Sequence, residues 1–527
     1  MKPSGLVLFA LLFKTWLCPG AGKLDLILRN GRLVDGTRNP AYFADIAIKD
    51  GRISEIGKIA ADVGPELDVR GLIVAPGFVD VHTHAEDIEK LPMAENFVRM
   101  GVTTVILGNC GSSVLPVGDF FRRLEATNMS VNVATLIGHG TVREQVMGGS
   151  WPREPTADEL QRMRTLVGQA MKEGAVGLST GLIYSPGTYA KTEELIELAR
   201  VAAQFDGIYT THMRGEGREI FDSLSEVFRI ARDAGIRAEV SHIKLSGKPA
   251  WGQADKVLAL IEKARAEGLD ITQDQYLYTA SSTGLRQLLP EAYREQATLL
   301  EALSNPQQKA RVVSEMKARL KTNRRQDYAY AVIANYTRDP SLNGLNIVEA
   351  AKKKSGSGSL RNQIELILEI ESHGGASGVF HGMSEADLRK FLGHANTMFA
   401  SDSGVRRYGE GVPHPRGYGN NARVLARYSR ELNLLPLEEA VRRMTSLPAT
   451  TFRLSGRGEL REGNWADLVV FDPGKVQDHA TFDAPHQYAT GFAYVFVNGV
   501  AVVKGDQHTG ARPGKILRRQ SSPQYER

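Results

Sequence analysis

The stretch LIVAPGFVDVHTH (72–84) carries the strongest indication of the fold. Its apolar run is typical of a strand that is buried on both faces of a parallel sheet, and it ends in the pair His82 and His84. Side chains two residues apart on a strand lie on the same face. Both imidazoles are therefore expected to point to one side, at the carboxyl end of a buried strand.

Seven more segments repeat this pattern of an apolar strand with polar residues at its end, and helical stretches such as 191–204 and 253–268 lie between most of them. Strands that alternate with helices are typical of βα units around a parallel sheet. Eight such units predict an α/β fold built on a (β/α)8 TIM barrel. The seven segments are GVTTVILGNCG (101–111), NVATLIGHG (132–140), GAVGLSTGLIY (174–184), GIYTTHMRG (207–215), RAEVSHIKLSG (237–247), DITQDQYLY (270–278) and NTMFASDSG (396–404).

Short alternating apolar runs, broken by Asn-Gly and Asp-Gly, occur near both ends of the chain. They cover 24–34, 45–56 and 67–74 at one end, and 465–475 and 494–505 at the other. Such runs are hairpin signals. We expect the two ends to pair into one small, discontinuous β-sandwich domain.

The stretch between strands seven and eight is longer than a usual connection between a strand and a helix. It predicts a mainly helical insertion over the barrel mouth. The expected organisation is a signal peptide at 1–22, one sandwich half at 23–74, the catalytic barrel at 75–455 with its insertion at 285–346, the other sandwich half at 456–510, and a basic tail at 511–527 that is disordered beyond Arg519.

Composition excludes several classes of protein. Hydrophobic residues make up 42% of the 527 residues and charged residues 24%, which are ordinary values for a globular chain. The net charge of +5 is too small, and too evenly spread, to predict a nucleic-acid or membrane-surface partner. No later segment resembles a transmembrane helix, and the oligomeric state stays open.

The first 22 residues, MKPSGLVLFALLFKTWLCPGAG, resemble a secretory signal with cleavage near Gly22. They predict an exported protein, periplasmic or secreted, with a lipid anchor at Cys18 as an alternative. If Cys18 leaves with the signal, Cys110 has no partner within the chain, which excludes a disulfide framework. Cys110 is then either a buried small hydrophobe or a functional thiolate.

Residue types that bind metals occur at the ends of five predicted strands. Catalytic groups of a TIM barrel come from the carboxyl ends of its strands, and imidazole, thiolate and carboxylate are the ligands that zinc prefers. Six such residues are enough for two metals that share a bridging ligand. The six are His82 and His84 on strand one, Cys110 on strand two, His212 on strand five, His242 on strand six and Asp402 on strand eight.

Six motifs, PGFVDVHTH, GNCG, THMRGE, SHIK, YTASST and PHPRGYG, resemble those of the D-aminoacylase (N-acyl-D-amino-acid deacylase) family of the amidohydrolase superfamily. The resemblance extends from about Leu24 to Arg518. Related hydantoinases and dihydroorotases share His-x-His but usually bridge their metals with a carboxylated lysine on strand four. Here GLSTGLIY (177–184) has no lysine, whereas GNCG (108–111) supplies a cysteine in the place that D-aminoacylases use.

The resemblance implies a metal-dependent hydrolase with zinc as its cofactor. One tight zinc would be held by Cys110, His212 and His242. A second, weaker divalent metal would use His82, His84, Cys110 and Asp402. A bound cation deprotonates a coordinating thiol, so Cys110 would be a thiolate ligand. His139, in IGHGTVR, also matches a family position, but no ligand role is assigned to it; it either supports a ligand or is structural.

The activity implied by the resemblance is cleavage of the amide bond of N-acyl-D-amino acids. Activated water would attack the acyl carbonyl, with Asp402 as the general acid and base that passes a proton to the leaving amine. The free α-carboxylate of such a substrate needs cationic or hydroxyl partners. The expected substrate-binding residues are Lys244, Arg416, Tyr278 and Tyr184.

Two other functions are compatible with the residues. One is a cyclic amidase or a dipeptidase on the same scaffold, which would not need Lys244 and Arg416. The other is a catalytically inactive amidohydrolase-fold binding protein, for which the loss of metal ligands would be the mark. None of the six ligand-type residues is lost here.

Overall fold

The computed structural model describes residues 23–61 and 63–519. The predicted signal peptide at 1–22 and the end of the tail at 520–527 lie outside the described residues. None of the helices in the described part of the chain is long and apolar enough to cross a bilayer.

Strands are numbered in chain order and fall into three groups. The sandwich has β1 (Leu26–Leu33), β2 (Tyr42–Lys49), β3 (Arg52–Gly57), β4 (Glu66–Asp68), β5 (Ile73–Pro76), β18 (Leu468–Phe471), β19 (Phe492–Val497), β20 (Val500–Lys504) and β21 (Gln507–His508). The barrel has β6 (Phe78–Asp80), β7 (Val102–Leu107), β8 (Asn132–Thr135), β9 (Ile137–Gly138), β10 (Gly177–Gly181), β11 (Ile208–His212), β12 (Arg237–Val240), β13 (Ile271–Gln275) and β17 (Thr397–Phe399). The insertion has β14 (Ala280–Gly284), β15 (Ala331–Asn335) and β16 (Ser377–His381).

The barrel strands form a closed ring of eight parallel strands, as the sequence predicts. β6, β7 and β8 pair in parallel, and β9 to β13 and β17 form a second parallel run. β8 and β9 are separated only by Leu136. They count as one strand of the ring and connect the two runs. At the other seam a parallel bridge links Thr83 to Ser403, and the Asp402 amide donates to the His82 carbonyl over 2.9 Å. The seam therefore brings strand one, with its two histidines, beside strand eight.

Helices surround this ring. The predicted helices at 191–204 and 253–268 are present as Thr192–Gln204 and Ala254–Ala266, whose apolar faces pack on the strands. The α-helices are α1 (Glu95–Val98), α2 (Val117–Thr127), α3 (His139–Met147), α4 (Ala157–Glu173), α5 (Thr192–Gln204), α6 (Ile220–Ala234), α7 (Ala254–Ala266), α8 (Gln296–Ser304), α9 (Pro306–Thr322), α10 (Ile347–Ser355), α11 (Leu360–Ser372), α12 (Glu385–Gly393), α13 (Arg416–Arg423), α14 (Leu437–Met444) and α15 (Ser446–Thr451).

The two ends of the chain meet in one sheet, which confirms the discontinuous sandwich. Antiparallel pairing of β5 with β18 joins the amino-terminal strands to the carboxyl-terminal ones. The register places Val74 opposite Val470, and both side chains belong to the buried core of this domain. Residues 511–519 continue past the sheet, and Ile516 pairs in parallel with Val133 of β8. This part of the predicted tail therefore packs against the barrel.

The insertion extends beyond the predicted 285–346 and is mainly helical, as expected, but it also contains a small sheet that the sequence does not predict. It runs from β14 to β16, residues 280–381, and its antiparallel sheet has the order β14-β16-β15 with α8 to α11 packed around it. The strands ASSTG and SGVFH are rich in glycine and serine, which have low strand propensity. They are strands because they pair with each other across about a hundred residues of chain, and sequence periodicity does not show such pairing.

Candidate metal centre

The thiol of Cys110 lies at the middle of a cluster of imidazoles at the carboxyl end of the barrel. Its Sγ is 3.4 Å from His82 Nε2, 3.7 Å from His212 Nδ1 and 3.7 Å from His242 Nε2. Cys110 and His242 have positive φ values, 52° and 37°, as does Asp402 with 50°. Backbone conformations of this kind are uncommon for residues with a side chain and concentrate at functional sites. Here each one turns a ligand-type residue into the barrel mouth.

Asp402 completes the cluster from strand eight. Its Oδ1 lies 3.3 Å from His84 Nε2 and 3.8 Å from His82 Nε2. Its Oδ2 lies 2.7 Å from Nη1 of Arg416. The structure therefore brings together all six residues that the sequence singles out as ligand types, drawn from five different strands.

The electrostatics of the cluster favour the charged forms of both acids. Burial favours a neutral thiol, yet the surrounding imidazoles lower the pKa of Cys110 well below its usual value. Burial also opposes ionisation of Asp402, yet the Arg416 guanidinium and the nearby imidazoles hold its pKa well below its usual range. A thiolate and a carboxylate among imidazoles form a donor set that suits zinc.

Glu216 is a functional candidate that the sequence reading missed. Its carboxylate lies 3.0 Å from His242 Nδ1, 3.7 Å from His212 Nε2 and 2.5 Å from Lys244 Nζ. The signal was present, since Glu216 closes the THMRGE motif four residues after His212. Its contacts, however, join side chains from two different strands, β11 and β12.

Asp274 on β13 contacts the outer ring nitrogen of His82, the histidine beside Cys110 that Glu216 does not reach. Its Oδ2 lies 3.1 Å from His82 Nδ1, and its Oδ1 accepts a hydrogen bond from the His242 amide over 3.0 Å. Each of the histidines around Cys110 thus has one ring nitrogen toward the thiol and the other toward a carboxylate. A carboxylate that accepts the outer N–H leaves the inner nitrogen free to bind a metal.

Three overlapping groups of these side chains could hold a metal ion. The ligand atoms within each group lie within 4.8 Å of one another. Nitrogen, sulfur and oxygen donors in this number fit one zinc ion and a second divalent metal that shares a ligand with it. The groups are His82, Cys110 and His242; His82, His84 and Asp402; and His212, Glu216 and His242.

A cavity of about 620 Å³ opens above the cluster. Seven of the predicted site residues line it, and hydroxyl-bearing and aromatic side chains of the insertion form its other wall, among them Ser281, Ser282, Thr283 and Tyr330. The seven are His84, Cys110, Tyr184, His212, His242, Lys244 and Asp402. His82 lies beneath them and is fully buried.

The structure does not place Arg416 and Tyr278 on the cavity wall. Arg416 is buried behind Asp402, with its guanidinium 4.6 Å from the ring of Tyr276, so its contact is with the predicted acid–base residue. The Tyr278 ring packs 5.4 Å from His414 and 4.7 Å from the Arg423 guanidinium. The substrate-binding role predicted for Tyr278 therefore has no support from its position.

His139 is structural in this arrangement. It begins α3, is fully buried, and its Nε2 lies 2.8 Å from Glu194, which also pairs with Arg143. These contacts fasten α3 to α5 beside the site. Among the described residues, none of the contacts of His139 reaches a ligand-type residue of the cluster.

Comparisons with known proteins agree with the fold and with a metal-dependent hydrolase. Residues 66–503 match the amidohydrolase family, and the chain belongs to this family of barrel hydrolases. Within it the chain is 36% identical over 521 residues to a D-aminoacylase of Alcaligenes xylosoxydans xylosoxydans, covering 94% of this chain and 98% of that one. It is also 36% identical to an N-acyl-D-glutamate deacylase of the same organism, covering 95% and 98%. The chain is a member of the D-aminoacylase branch.

Solved structures point the same way. A crystal structure of D-aminoacylase has a TM-score of 0.81 at 35% identity and covers 94% of this chain and 100% of that one. An N-acyl-D-glutamate deacylase from Bordetella bronchiseptica, complexed with zinc and a phosphonate inhibitor that mimics the tetrahedral intermediate, has a TM-score of 0.81 at 34% identity, covering 94% and 100%. A D-hydantoinase from Thermus sp., at 16% identity and a TM-score of 0.55, shares the fold alone.

Proposed function

We propose that this protein hydrolyses the amide bond of N-acyl-D-amino acids in a zinc-dependent reaction that releases a carboxylate and a free D-amino acid. The observation that carries the proposal is the Cys110 thiol, surrounded by three imidazoles on the floor of the cavity. Similarity to a D-aminoacylase and to N-acyl-D-glutamate and N-acyl-D-aspartate deacylases supports the choice of substrate.

The metal is assigned to the cluster by the chemistry of its donors. The tight ligands in this proposal are Cys110, His212 and His242, a set supported by the two imidazole nitrogens that lie 3.7 Å from the Cys110 thiol. A second, weaker metal would add His82, His84 and Asp402, which form one of the three groups described above. Zinc supplies a Lewis acid that polarises the acyl carbonyl and lowers the pKa of water. Glu216 and Asp274 hold the outer ring nitrogens and so orient the imidazoles toward Cys110.

Asp402 is the residue placed to move the proton. Arg416 holds its Oδ2, so Oδ1 is the oxygen that faces the imidazoles and the cavity. This oxygen can accept the proton of the attacking water and deliver it to the leaving nitrogen, which would otherwise depart as a poor leaving group. Arg416 thus acts through Asp402 and keeps the carboxylate in one orientation.

The carboxylate of the substrate is assigned to Lys244. Its ammonium group lines the cavity on the same strand end as His242 and lies 2.5 Å from Glu216. Its Nζ also lies 2.8 Å from His242 Nδ1. A cation so close to a proposed metal ligand suits an α-carboxylate a few bonds from the scissile amide. Tyr184, which also lines the cavity and whose hydroxyl lies 3.3 Å from the Thr283 hydroxyl, offers a further donor.

Export is part of the proposal. It rests on the signal-like sequence at 1–22. Sequencing the amino terminus of the protein from a fractionated culture tests it, and cleavage near Gly22 is the expected result. A protein that keeps residues 1–22 in the cytoplasmic fraction contradicts export.

The function is tested with purified protein whose metal content has been measured. Hydrolysis is followed with N-acetyl-D- and N-acetyl-L-amino acids and with a hydantoin. We expect about one tightly bound zinc per chain, activity on the D series, loss of activity after a strong chelator and recovery with zinc. Full activity in metal-free protein would contradict the proposal. Preferred cleavage of the hydantoin would establish the cyclic amidase in its place.

A further inference from the structure

The charged side chains that line the cavity are paired, with two exceptions. Glu216 pairs with Lys244, and Asp402 pairs with Arg416 behind the wall. Arg325, which follows α9 in the insertion, lines the cavity and has no carboxylate oxygen within 4.0 Å among the described residues. Glu144 on α3 is the second unpaired charge, and it faces the cavity from the opposite side of the barrel. Arg325 and Glu144 are therefore the two charged lining residues that have no ion pair within 4.0 Å among the described residues.

Arg325 has no ion pair within 4.0 Å in the described part of the chain, and Asp327 acts on its charge only from a longer distance. Its Nη2 donates a hydrogen bond to the His381 carbonyl over 3.1 Å, and its guanidinium lies 3.6 Å over the ring of Tyr330, which also lines the cavity. One hydrogen bond uses one of the five N–H donors of a guanidinium. The side chain is half-buried, and burial lowers the pKa of Arg325. An anionic ligand would offset that cost of burial.

The position of Arg325 relates it to the rest of the site. A Cβ placed on Gly382 would lie 3.5 Å from Nη2 of Arg325 and 4.0 Å from Oγ of Ser246. The Gly247 amide donates to the Gly382 carbonyl over 2.7 Å, which ties the insertion to the loop that carries Lys244. Arg325 is therefore the outer cation on the side of the cavity whose inner cation is Lys244.

We propose that Arg325 binds a second carboxylate of the substrate, at the end remote from the scissile amide, and that this enzyme prefers N-acyl-D-amino acids with two anionic groups. The inference rests on the proposed function and specifies its substrate class. A guanidinium fork matches a carboxylate through two parallel hydrogen bonds, and its orientation is already fixed by the tyrosine beneath it. Glu144 on the far side repels the same group and so sets its direction.

The second carboxylate can come from the amino-acid side chain or from the acyl group. Two pairs of near-isosteric substrates separate these sources: N-acetyl-D-glutamate against N-acetyl-D-glutamine, and N-succinyl-D-leucine against its monoamide. The ratio of kcat/KM within each pair measures recognition of the charge alone. Arg325→Gln removes the cation, and Lys321→Gln, at an exposed position of the same segment, is the matched control.

We expect the native enzyme to favour the acidic member of one pair, and that pair identifies the source. Arg325→Gln should lower this ratio roughly 10- to 100-fold, as loss of a charged hydrogen bond does, and leave the neutral member unchanged. Lys321→Gln should preserve the ratio. The inference is overturned if the native enzyme favours the neutral member or neither member in both pairs, or if Arg325→Gln slows acidic and neutral substrates equally.

Calorimetric binding to the metal-free protein separates this inference from the proposed function. N-acetyl-D-glutamate and N-succinyl-D-leucine are titrated beside their amides into the native protein and into Arg325→Gln. Tighter binding of one acid, lost in the variant, supports Arg325 even if zinc-loaded protein hydrolyses no N-acyl-D-amino acid. Equal binding of acid and amide in both pairs removes Arg325 from recognition even if hydrolysis is efficient.

Discussion

On the barrel side of the cavity the polar side chains are buried and connected to one another; on the insertion side they are half-exposed and largely independent. His242 is 2% exposed and Asp402 8%, and each contacts at least two charged or polar groups. Ser282 and Thr283 on β14 are half-buried, and Arg325 contacts a carbonyl and a ring. Both sides line the same cavity, but ion pairs and hydrogen bonds connect the side chains on the barrel side, whereas those on the insertion side have few polar contacts with one another.

The contrast shows how the site divides its tasks. Burying charge is costly unless it is paired and hydrogen-bonded, so the barrel side carries a network in which each imidazole has a fixed orientation. Such a network suits chemistry that needs ligands in one geometry. Recognition groups on an inserted unit can change without disturbing that network. We therefore expect substitutions on the barrel side to change turnover and metal content, and those on the insertion side to change substrate preference.

The largest expected effect is that of Asp402→Asn. The amide keeps the size of the side chain and its contact with Arg416 but cannot carry the proton, so kcat should fall roughly 10²- to 10⁴-fold. The tight zinc should remain, because Cys110, His212 and His242 are unchanged, and KM should change little. Steady-state kinetics with metal analysis tests this. Recovery to within about tenfold of the native rate on adding zinc would show that Asp402 is only a ligand.

Glu216→Gln should have the next largest effect. A neutral amide holds His242 Nδ1 less firmly and removes the negative charge that lies 3.7 Å from His212 Nε2, so zinc affinity should fall roughly 10- to 100-fold. Competition with a chromogenic chelator measures that affinity directly. Glu226→Gln is the matched control, because Glu226 pairs with Arg214 over 2.8 Å and is absent from the cavity lining. Equal zinc affinity in the two variants would remove Glu216 from the network.

Lys244→Met tests whether position or role decides the effect of a substitution. Lys244 lies on the barrel side, but its proposed role is to bind the substrate carboxylate. KM for an N-acyl-D-amino acid should rise roughly tenfold or more while the zinc content is kept, since a charged partner of the α-carboxylate is lost. Lys248→Met, at an exposed position four residues later, should have no effect. An unchanged KM with reduced zinc would instead place Lys244 in the metal network.

The smallest expected effect is that of Tyr278→Phe. Its hydroxyl is buried away from the cavity and has no hydrogen-bond partner among residues 23–61 and 63–519, so kcat/KM should change less than about threefold. Tyr184→Phe removes a hydroxyl that does line the cavity and should change KM more. A larger loss for Tyr278→Phe than for Tyr184→Phe would restore the role that the sequence assigned to Tyr278.

The barrel and the ligand types at its mouth could be predicted from local sequence patterns. Strands such as VTTVIL (102–107) show as largely apolar runs, and a residue at the carboxyl end of a barrel strand lies at the mouth whatever the details of packing. This is why His82, Cys110 and His242 could be singled out from three separate segments. The hairpin signals near both ends likewise predicted the sandwich, because turn residues act locally.

The contacts between these groups could not be predicted, because they depend on how distant segments pack in the folded chain. Asp274 faces His82 across 192 positions of sequence, and β14 finds its partner β16 about a hundred residues away. Arg416 contacts Asp402 and does not line the cavity, and the Tyr278 ring packs against His414 outside the cavity lining. The spacing of apolar residues in the sequence reflects the periodicity of a single strand or helix. These contacts depend instead on how separate elements pack against one another. The partners of the ligands, unlike the ligands themselves, are therefore set by the closed barrel.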